Sequence, residues 1–415
     1  MKRFLGLSAA LAMSVLGFLL ASRSLVAQEG EDGCIACHRE ATPFIVADWE
    51  ASRHAQSKAL RATCDKCHGT RHDKASNRDQ ASMPTANTCR RCHLKQFRQY
   101  EKGKHALAWK AMEAIPLTHG LPEEITQGMK GCGGCHKVGI VKAEDHAPYR
   151  FSGGSGCAAC HGKHRFELES MKDPEICAKC HIGFDHPQWE MWKHSSHGIA
   201  YKTGSDKRRA PTCQRCHVPD GDHENITAWS FLAVRVPETD EAWWTDRLEI
   251  LKALGVLDAE GKKTALYALV DKLKLARTSK EDFDRLREKQ IGICRECHGE
   301  SMVRERFGIY DGVLREADRV LAEAIRIVAG LYRDGLIEPR EGAPVKGYPF
   351  VLDFYEVDTA VEQELYLMYE EYRMRTYQGA FHENWDYMHW EGWGMMRKSL
   401  VKIRDMAKAM RSRAK

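Results

Sequence analysis

The sequence predicts a mainly α protein in two unlike parts: a loop-rich N-terminal region with short helices, then a C-terminal bundle of long helices. Three observations predict it. Apolar residues in the last third recur at helical spacing, no stretch of any length alternates as a strand would, and sixteen cysteines break up the chain at a fixed spacing. The 415 residues suffice for two or three domains by size alone. A 43% hydrophobic content with ten Trp excludes a disordered chain. The balance of 63 Lys+Arg against 58 Asp+Glu, with no basic block, argues against a nucleic-acid binder.

Residues 1–27 stand apart. Lys2 and Arg3 precede an apolar run from Phe4 to Ala21, and Leu25-Val26-Ala27 offers a cleavage site before Gln28. This reads as a secretory signal peptide, with an uncleaved membrane anchor as the alternative. No later stretch reaches the roughly 18 apolar residues of a membrane span. The mature protein is expected to be soluble and periplasmic, or otherwise exported.

Export would ordinarily turn paired cysteines into a disulfide framework. The spacing argues otherwise. The cysteines fall as Cys34/Cys37, Cys64/Cys67, Cys89/Cys92, Cys132/Cys135, Cys157/Cys160, Cys177/Cys180, Cys213/Cys216 and Cys294/Cys297. Each pair is CxxC followed at once by histidine: His38, His68, His93, His136, His161, His181, His217 and His298. Two thiols three residues apart can add across the two vinyl groups of haem, and the next histidine then lies under the iron as its proximal ligand. One such motif is weak evidence, and a single CxxC could serve zinc. Eight that use up every cysteine in an exported chain predict eight covalent haem c groups.

The elements follow in order. Residues 28–225 hold seven motifs, too densely spaced for an ordinary core, so stacked porphyrins must supply much of the interior and the apo-protein should be largely unfolded. Each bis-histidine ferric haem c adds about −1, making the loaded protein acidic, on the order of −6. Residues 226–300 form a helical region with the eighth motif. Residues 301–415 form the bundle: Leu314, Ala317, Leu321, Ala324, Val328 and Leu331 mark a long amphipathic helix. Further helices are expected from Tyr355 to Tyr377 and from Met395 to Met410, with Gly342 to Pro349 as a linker.

Twelve histidines lie outside the motifs: His54, His72, His105, His119, His146, His164, His186, His194, His197, His223, His382 and His389. Electron-transfer haems take a second axial histidine. A pure electron carrier would use eight of these and an enzyme with one open iron seven, so the count alone leaves both possibilities.

The chain resembles the hydroxylamine oxidoreductase family of octahaem cytochromes from Cys34 to about Asp405. The resemblance is carried by Met83-Pro84-Thr85 before Cys89 and by the block from Gly131 to Gly198, which includes Gly183-Phe184-Asp185-His186, Trp189 and Ser196-His197-Gly198. It extends to Pro211-Thr212-Cys213, His223-Glu224-Asn225-Ile226-Thr227 and Glu391-Gly392-Trp393-Gly394. It implies that the fourth haem, on Cys132, Cys135 and His136, is five-coordinate and catalytic, with Asp185 and His186 above it. It further implies that His54, His105, His164, His197, His223, His382 and, as the seventh, His72 are distal ligands. His119, His146, His194 and His389 are left as solvent or structural residues. A histidine beside a carboxylate can exchange protons near neutral pH, which nitrogen-oxide chemistry requires.

The departures bear on direction. Oxidising members cross-link their catalytic haem to a tyrosine of a neighbouring subunit, two residues before Glu-Gly-Trp-Gly; here that position is His389, and Tyr387 is the nearest tyrosine. A second active-site tyrosine of those members falls near Phe231-Leu232, and the C-terminal membrane segment of some members has no counterpart before Lys415. Members without the cross-link resemble reductases. The expected activity is therefore reduction of nitrite, nitric oxide or hydroxylamine towards ammonium. Two alternatives stand: oxidation of hydroxylamine or hydrazine with Tyr387 as the cross-link, or a non-catalytic electron carrier. The resemblance also implies a homotrimer and a redox partner, a cytochrome c or a quinol-linked protein.

Overall fold

A computed structural model describes residues 32–113, 134–140, 155–183, 186–206, 210–227, 240–273, 279–353 and 357–414. The signal segment, Cys132, Asp185, His119, His146 and Phe231-Leu232 lie outside these residues. The described chain is mainly α. Its β structure among the described residues is one isolated bridge between Leu257 and Lys263.

The CxxCH motifs fold as single helical turns. The amide of His93 donates to the Cys89 carbonyl at 2.9 Å, and His161, His181 and His298 donate to Cys157, Cys177 and Cys294 at 3.0 Å. Such a turn sets the two cysteines, three residues apart, on one face with the histidine just beyond. Its ends are closed locally. Asp32 Oδ1 accepts from the Cys34 amide at 2.9 Å, which satisfies one orphan donor at the start of Gly33–Ala41. Gly69 and Gly162, directly after motif histidines, take φ of +72° and +71°, a left-handed stop that glycine makes without strain.

Apolar burial in this half is sparse. One small core joins Ile35, Val46 and Trp49, and another joins Ala86, Phe97, Tyr100 and Ala106. Polar capping and the motif turns, not a continuous core, set the local structure here.

The C-terminal half is an ordinary helical core. Glu300–Arg333 is a single helix, and Leu314, Ala317, Leu321, Ala324, Val328 and Leu331 are each 0% exposed, on the one face their spacing predicts. The next helix starts later than the apolar pattern suggested, at Ala360, because the Thr359 side chain caps it by accepting from the Glu362 amide. It runs through a π-helical turn, Met368–Arg373, and on to Phe381. The last helix starts at Trp385, passes a second π-helical turn, Met388–Trp393, and ends with Gly394–Arg413. Between 342 and 349 the chain turns on Gly342 and Gly347, both with positive φ. Glu241–Ala253 shares the same core through Ile250, Ala253 and Leu254, and Lys280–Arg295 joins Val303 and Phe307 through Phe283 and Ile291, so the bundle draws on the segment before residue 300.

Two contacts lock the bundle. Asp318, 0% exposed, accepts from Arg373 Nε at 2.9 Å and Trp243 Nε1 at 2.7 Å, and also pairs with Arg247. One carboxylate thus ties three helices. The two π-turn helices also cross with almost no gap: a Cβ on Gly392 would sit 2.6 Å from the Thr376 Cα. Gly308, on the long helix, has nothing within 4 Å of its Cβ position. Gly392→Ala should therefore destabilise the bundle by about 1–3 kcal/mol through overpacking. Gly308→Ala should stabilise it by about 0.5–1 kcal/mol through helix propensity. Denaturant titration of both variants checks the contrast, and equal effects would contradict the crossing.

Candidate functional site

Seven of the eight motif histidines face a second histidine ring at a nearly constant separation. His38 faces His72 at 5.9 Å between ring centres, His93 faces His54 at 6.0 Å, and His68 faces His164 at 6.1 Å. His181 faces His105 and His161 faces His223, both at 6.0 Å. His298 faces His197 at 6.2 Å, and His217 faces His382 at 6.3 Å. Two imidazoles bound to opposite sides of one metal, with bonds of about 2 Å, would place their ring centres about 6 Å apart. The angle between ring planes varies from 22° to 79° across the pairs, as rotation about a shared axis permits.

The donor set fits haem. No three His, Cys, Asp or Glu side chains converge as a bare-metal site among the described residues. Two opposed imidazoles fit the two faces of a haem iron, and the described motif cysteines fit as its anchors: none of the fifteen is in a disulfide.

The polypeptide covers these anchors unequally. Cys37, Cys92 and Cys297 are exposed, whereas the other twelve described cysteines are partly covered by the chain. All three are the second cysteine of their motif. His93 and His298, the next residues after two of them, are exposed as well. Polypeptide packing thus shelters the first cysteine of these motifs and leaves the second on the surface. An exposed free thiol is open to oxidation, and a thioether bond to a haem vinyl group would remove that reactivity.

Hydrogen bonds orient the rings. His38 Nδ1 lies 2.8 Å from the Thr42 hydroxyl, His68 Nδ1 3.0 Å from the Ser82 carbonyl, and His217 Nδ1 2.7 Å from the Ile226 carbonyl. On the facing rings, His72 Nδ1 meets Asn77 Oδ1 at 3.3 Å, while His223 and His382 meet the Gly221 and Gln378 carbonyls at 2.7 Å. A proton held on Nδ1 leaves the Nε2 lone pair for a metal. Burial keeps many of these rings neutral as well. It pushes His181 and His382 down to about 4 and lowers His54, His105, His161, His164, His197 and His217 below the usual imidazole range. Neutral imidazole is the form that ligates.

The motifs lie against one another in an order that departs from the chain at one point. The side chains of Cys89 and Cys157 lie close together, as do those of Cys177 and Cys213 and those of Cys135 and Cys180, and Cys135 Sγ is 4.0 Å from the Lys179 carbonyl. Cys34 and Cys64, Cys67 and Cys89, Cys160 and Cys177, and Cys216 and Cys294 are near enough to interact electrostatically. The motifs therefore run first, second, third, fifth, sixth, seventh, eighth. The fourth, with Cys135 and His136, packs on the sixth.

His136 Nδ1 lies 3.2 Å from the Ala108 carbonyl. His186 lies between the fourth and sixth motifs. Its ring centre is 6.3 Å from that of His181, its Nε2 is 2.9 Å from the Cys180 carbonyl, and it interacts electrostatically with Cys135. His194 and His389 are exposed. Sequence reasoning missed the oxygen that holds each Nδ1. Thr42, four residues after His38, could have been found from helical spacing. Ala108, Ser82, Ile226 and Gln378 could not, because a backbone carbonyl leaves no trace in residue type.

Three comparisons bear on identity. The family profile described as seven times multi-haem cytochrome CxxCH matches residues 60–249. The probable nitrite reductase-hydroxylamine oxidoreductase fusion protein of Kuenenia stuttgartiensis is 28% identical over 386 residues, covering 79% of this chain and 41% of that relative. This chain thus spans less than half the length of that relative. A chain of the reducing HAO-like protein complex of Kuenenia stuttgartiensis shares the fold with a TM-score of 0.68 at 21% identity, covering 92% of this chain and 85% of that one. A hypothetical multiheme protein shares it at 0.66 and 19% identity, covering 92% and 96%.

The burial of the histidine pairs carries a pH dependence. A histidine whose folded pKa lies below 6.5 binds fewer protons folded than unfolded between those values, so stability falls as pH drops through that window. For His181 and His382, which burial holds well below the usual imidazole range and which a bound iron would hold lower still, the loss should begin near pH 6.5 and deepen as the pH falls. Denaturant midpoints measured across this range check it. A midpoint independent of pH from 6.5 to 4 would contradict it.

Proposed function

For this multihaem cytochrome, related to nitrite-reductase and hydroxylamine-oxidoreductase-like proteins and built to carry covalent haem c, we propose the role of an octahaem oxidoreductase that reduces nitrite, nitric oxide or hydroxylamine towards ammonium. The observation that carries the haem arrangement is the set of seven histidine pairs at 5.9–6.3 Å. In this reading His54, His72, His105, His164, His197, His223 and His382 are distal ligands. Cys132, Cys135 and His136 hold the eighth haem, whose open face takes substrate. Haem iron, when bound, supplies both the electrons and the Lewis-acid site.

The chain's own residues handle protons and position. His186 can donate Nε2–H to the Cys180 carbonyl, which orients the ring at the fourth motif, and an imidazole there can exchange protons near neutral pH. Asp185, next to it in sequence, is the carboxylate proposed to share that proton exchange. The reductive direction rests on the π-helical turn Met388–Trp393. The position that oxidising members give to the cross-linking tyrosine holds His389, exposed beside Trp390, itself 64% exposed. Tyr387, the alternative cross-link, is only half-buried, on the same helix. An exposed Trp on a bent helix also suits a contact between copies, in keeping with a homotrimer served by a redox partner protein. Residues 1–27 would direct export. No described helix is long and apolar enough to cross a membrane.

Intact mass after cleavage at Ala27 should equal the polypeptide plus eight haems, and the ferrous protein should bind about one CO per chain. His136→Met should abolish turnover and leave most haem spectra unchanged. Free thiols with missing haem mass, or no CO binding, would point to a smaller cofactor set or to an electron carrier.

Direction is tested separately. The denatured protein should run as haem-staining monomers, its reduced spectrum should show only ordinary c-type bands, and an artificial donor should drive nitrite or hydroxylamine consumption faster than an acceptor drives hydroxylamine oxidation. Asp185→Asn or His186→Ala should slow the reduction roughly 10²–10⁴-fold. A trimer that survives boiling and is lost in Tyr387→Phe would make the protein an oxidase.

A further inference from the structure

The bonds that hold the motif histidines differ in kind. His38 is held by a hydroxyl, and His68, His136 and His217 by backbone carbonyls. His181 is held by a side-chain amide: its Nδ1 lies 3.0 Å from Gln188 Oε1. Gln188 has a further partner. Its Nε2 donates to Gln378 Oε1 at 2.7 Å, across 190 positions of sequence. Gln378 Nε2 in turn donates to the buried Tyr377 hydroxyl at 3.3 Å. The three bonds point the same way, each donor group belonging to a residue that accepts from the one before.

Both ends of this relay are fixed by the fold. Gln188 opens the helix Gln188–Lys193, and the Trp189 amide donates back to the His181 carbonyl at 3.1 Å, so the loop closes on the histidine it serves. Gln378 is 7% exposed, and its own backbone carbonyl accepts from His382 Nδ1 at 2.7 Å. One residue of the bundle therefore bears on two facing sets of rings, His382 with His217 directly and His181 with His105 through Gln188.

Aligned hydrogen bonds polarise one another. An amide oxygen whose NH₂ is itself donating is a stronger acceptor, and a stronger acceptor on Nδ1 makes the imidazole a better donor to its metal, favouring the oxidised state. The placement matters because the sixth motif is the one on which the fourth packs, through Cys180 and Cys135.

We propose that Gln188 and Gln378 are positioning residues that lower the reduction potential of the haem held by Cys177, Cys180 and His181, the neighbour of the substrate-binding haem. The proposal rests on the octahaem reading above.

The test is potentiometric titration of the full-length holoprotein, followed by optical and low-spin EPR spectra, with haem loading counted by intact mass. Gln188→Leu should shift one low-spin haem to higher potential and change its EPR signature, leaving the others in place. Gln378→Leu should shift the same haem in the same direction by less, because Gln188 then remains but is no longer polarised. Gln188→Glu should shift it the opposite way. Full haem loading with no haem moved by any variant would overturn the proposal, as would Gln188→Leu and Gln188→Glu shifting the potential in one direction, the result of a packing effect. If Gln188→Leu fails to fold, the opposed signs of Gln378→Leu and Gln188→Glu still decide. A wild-type chain with no haem at Cys177 and Cys180 would overturn the octahaem reading first and this proposal with it.

Discussion

The facing of one imidazole on another is the constraint around which this molecule is arranged. Each pair brings together residues from separate parts of the chain: His68 meets His164, His105 meets His181, His197 meets His298 and His217 meets His382. A separation that stays near 6 Å in all of them leaves no freedom for the loops that carry the rings to drift. The sparse apolar clusters of the N-terminal half cannot enforce that alone. Capped motif turns and oxygens aimed at Nδ1 fix each ring locally, and the cofactor they embrace completes the interior.

The bundle gives those local pieces a common frame. It is a dry core of the ordinary kind, closed by a buried carboxylate, Asp318, between two guanidiniums. Such a group stabilises little by itself, but removing one partner leaves a buried charge uncompensated. Polar contacts then reach from this frame into the motif region. Asn384 Nδ2 donates to the Met191 carbonyl at 2.8 Å, Lys289 binds Asp222 at 2.7 Å, and Gln290 Nε2 reaches the Cys216 carbonyl at 3.3 Å. His382 comes from the bundle and the eighth motif begins on one of its flanking helices, so the two halves share their ring pairs.

The order of the motifs in space departs from their order in the chain at one point. Seven follow one another, and the fourth branches onto the sixth through Cys135 and Cys180. His186 stands at that branch, its Nε2 2.9 Å from the Cys180 carbonyl.

Much of this was legible in the residues. CxxCH spacing announced the anchors and the proximal rings because the chemistry is local: two thiols and a histidine within one helical turn. It did not announce that Cys37, Cys92 and Cys297 lie at the surface, since how far a turn is covered depends on what packs over it. The buried face of Glu300–Arg333 was equally plain, because helical periodicity writes burial directly into sequence. The facing rings are a different matter. The seven histidines put forward from resemblance, His72 among them, are the ones that stand opposite motif histidines, but residue type and spacing alone could not have matched His38 to His72 or His181 to His105. Nor could they show that the last helix turns on π-helical geometry to present His389, or that Gln188 and Gln378 meet across the molecule. Sequence determines what is encoded within a turn or two of chain, where neighbours are set by covalent connection. Which distant ring, carbonyl or amide closes each contact is decided only when packing of the whole chain selects one set of neighbours from many.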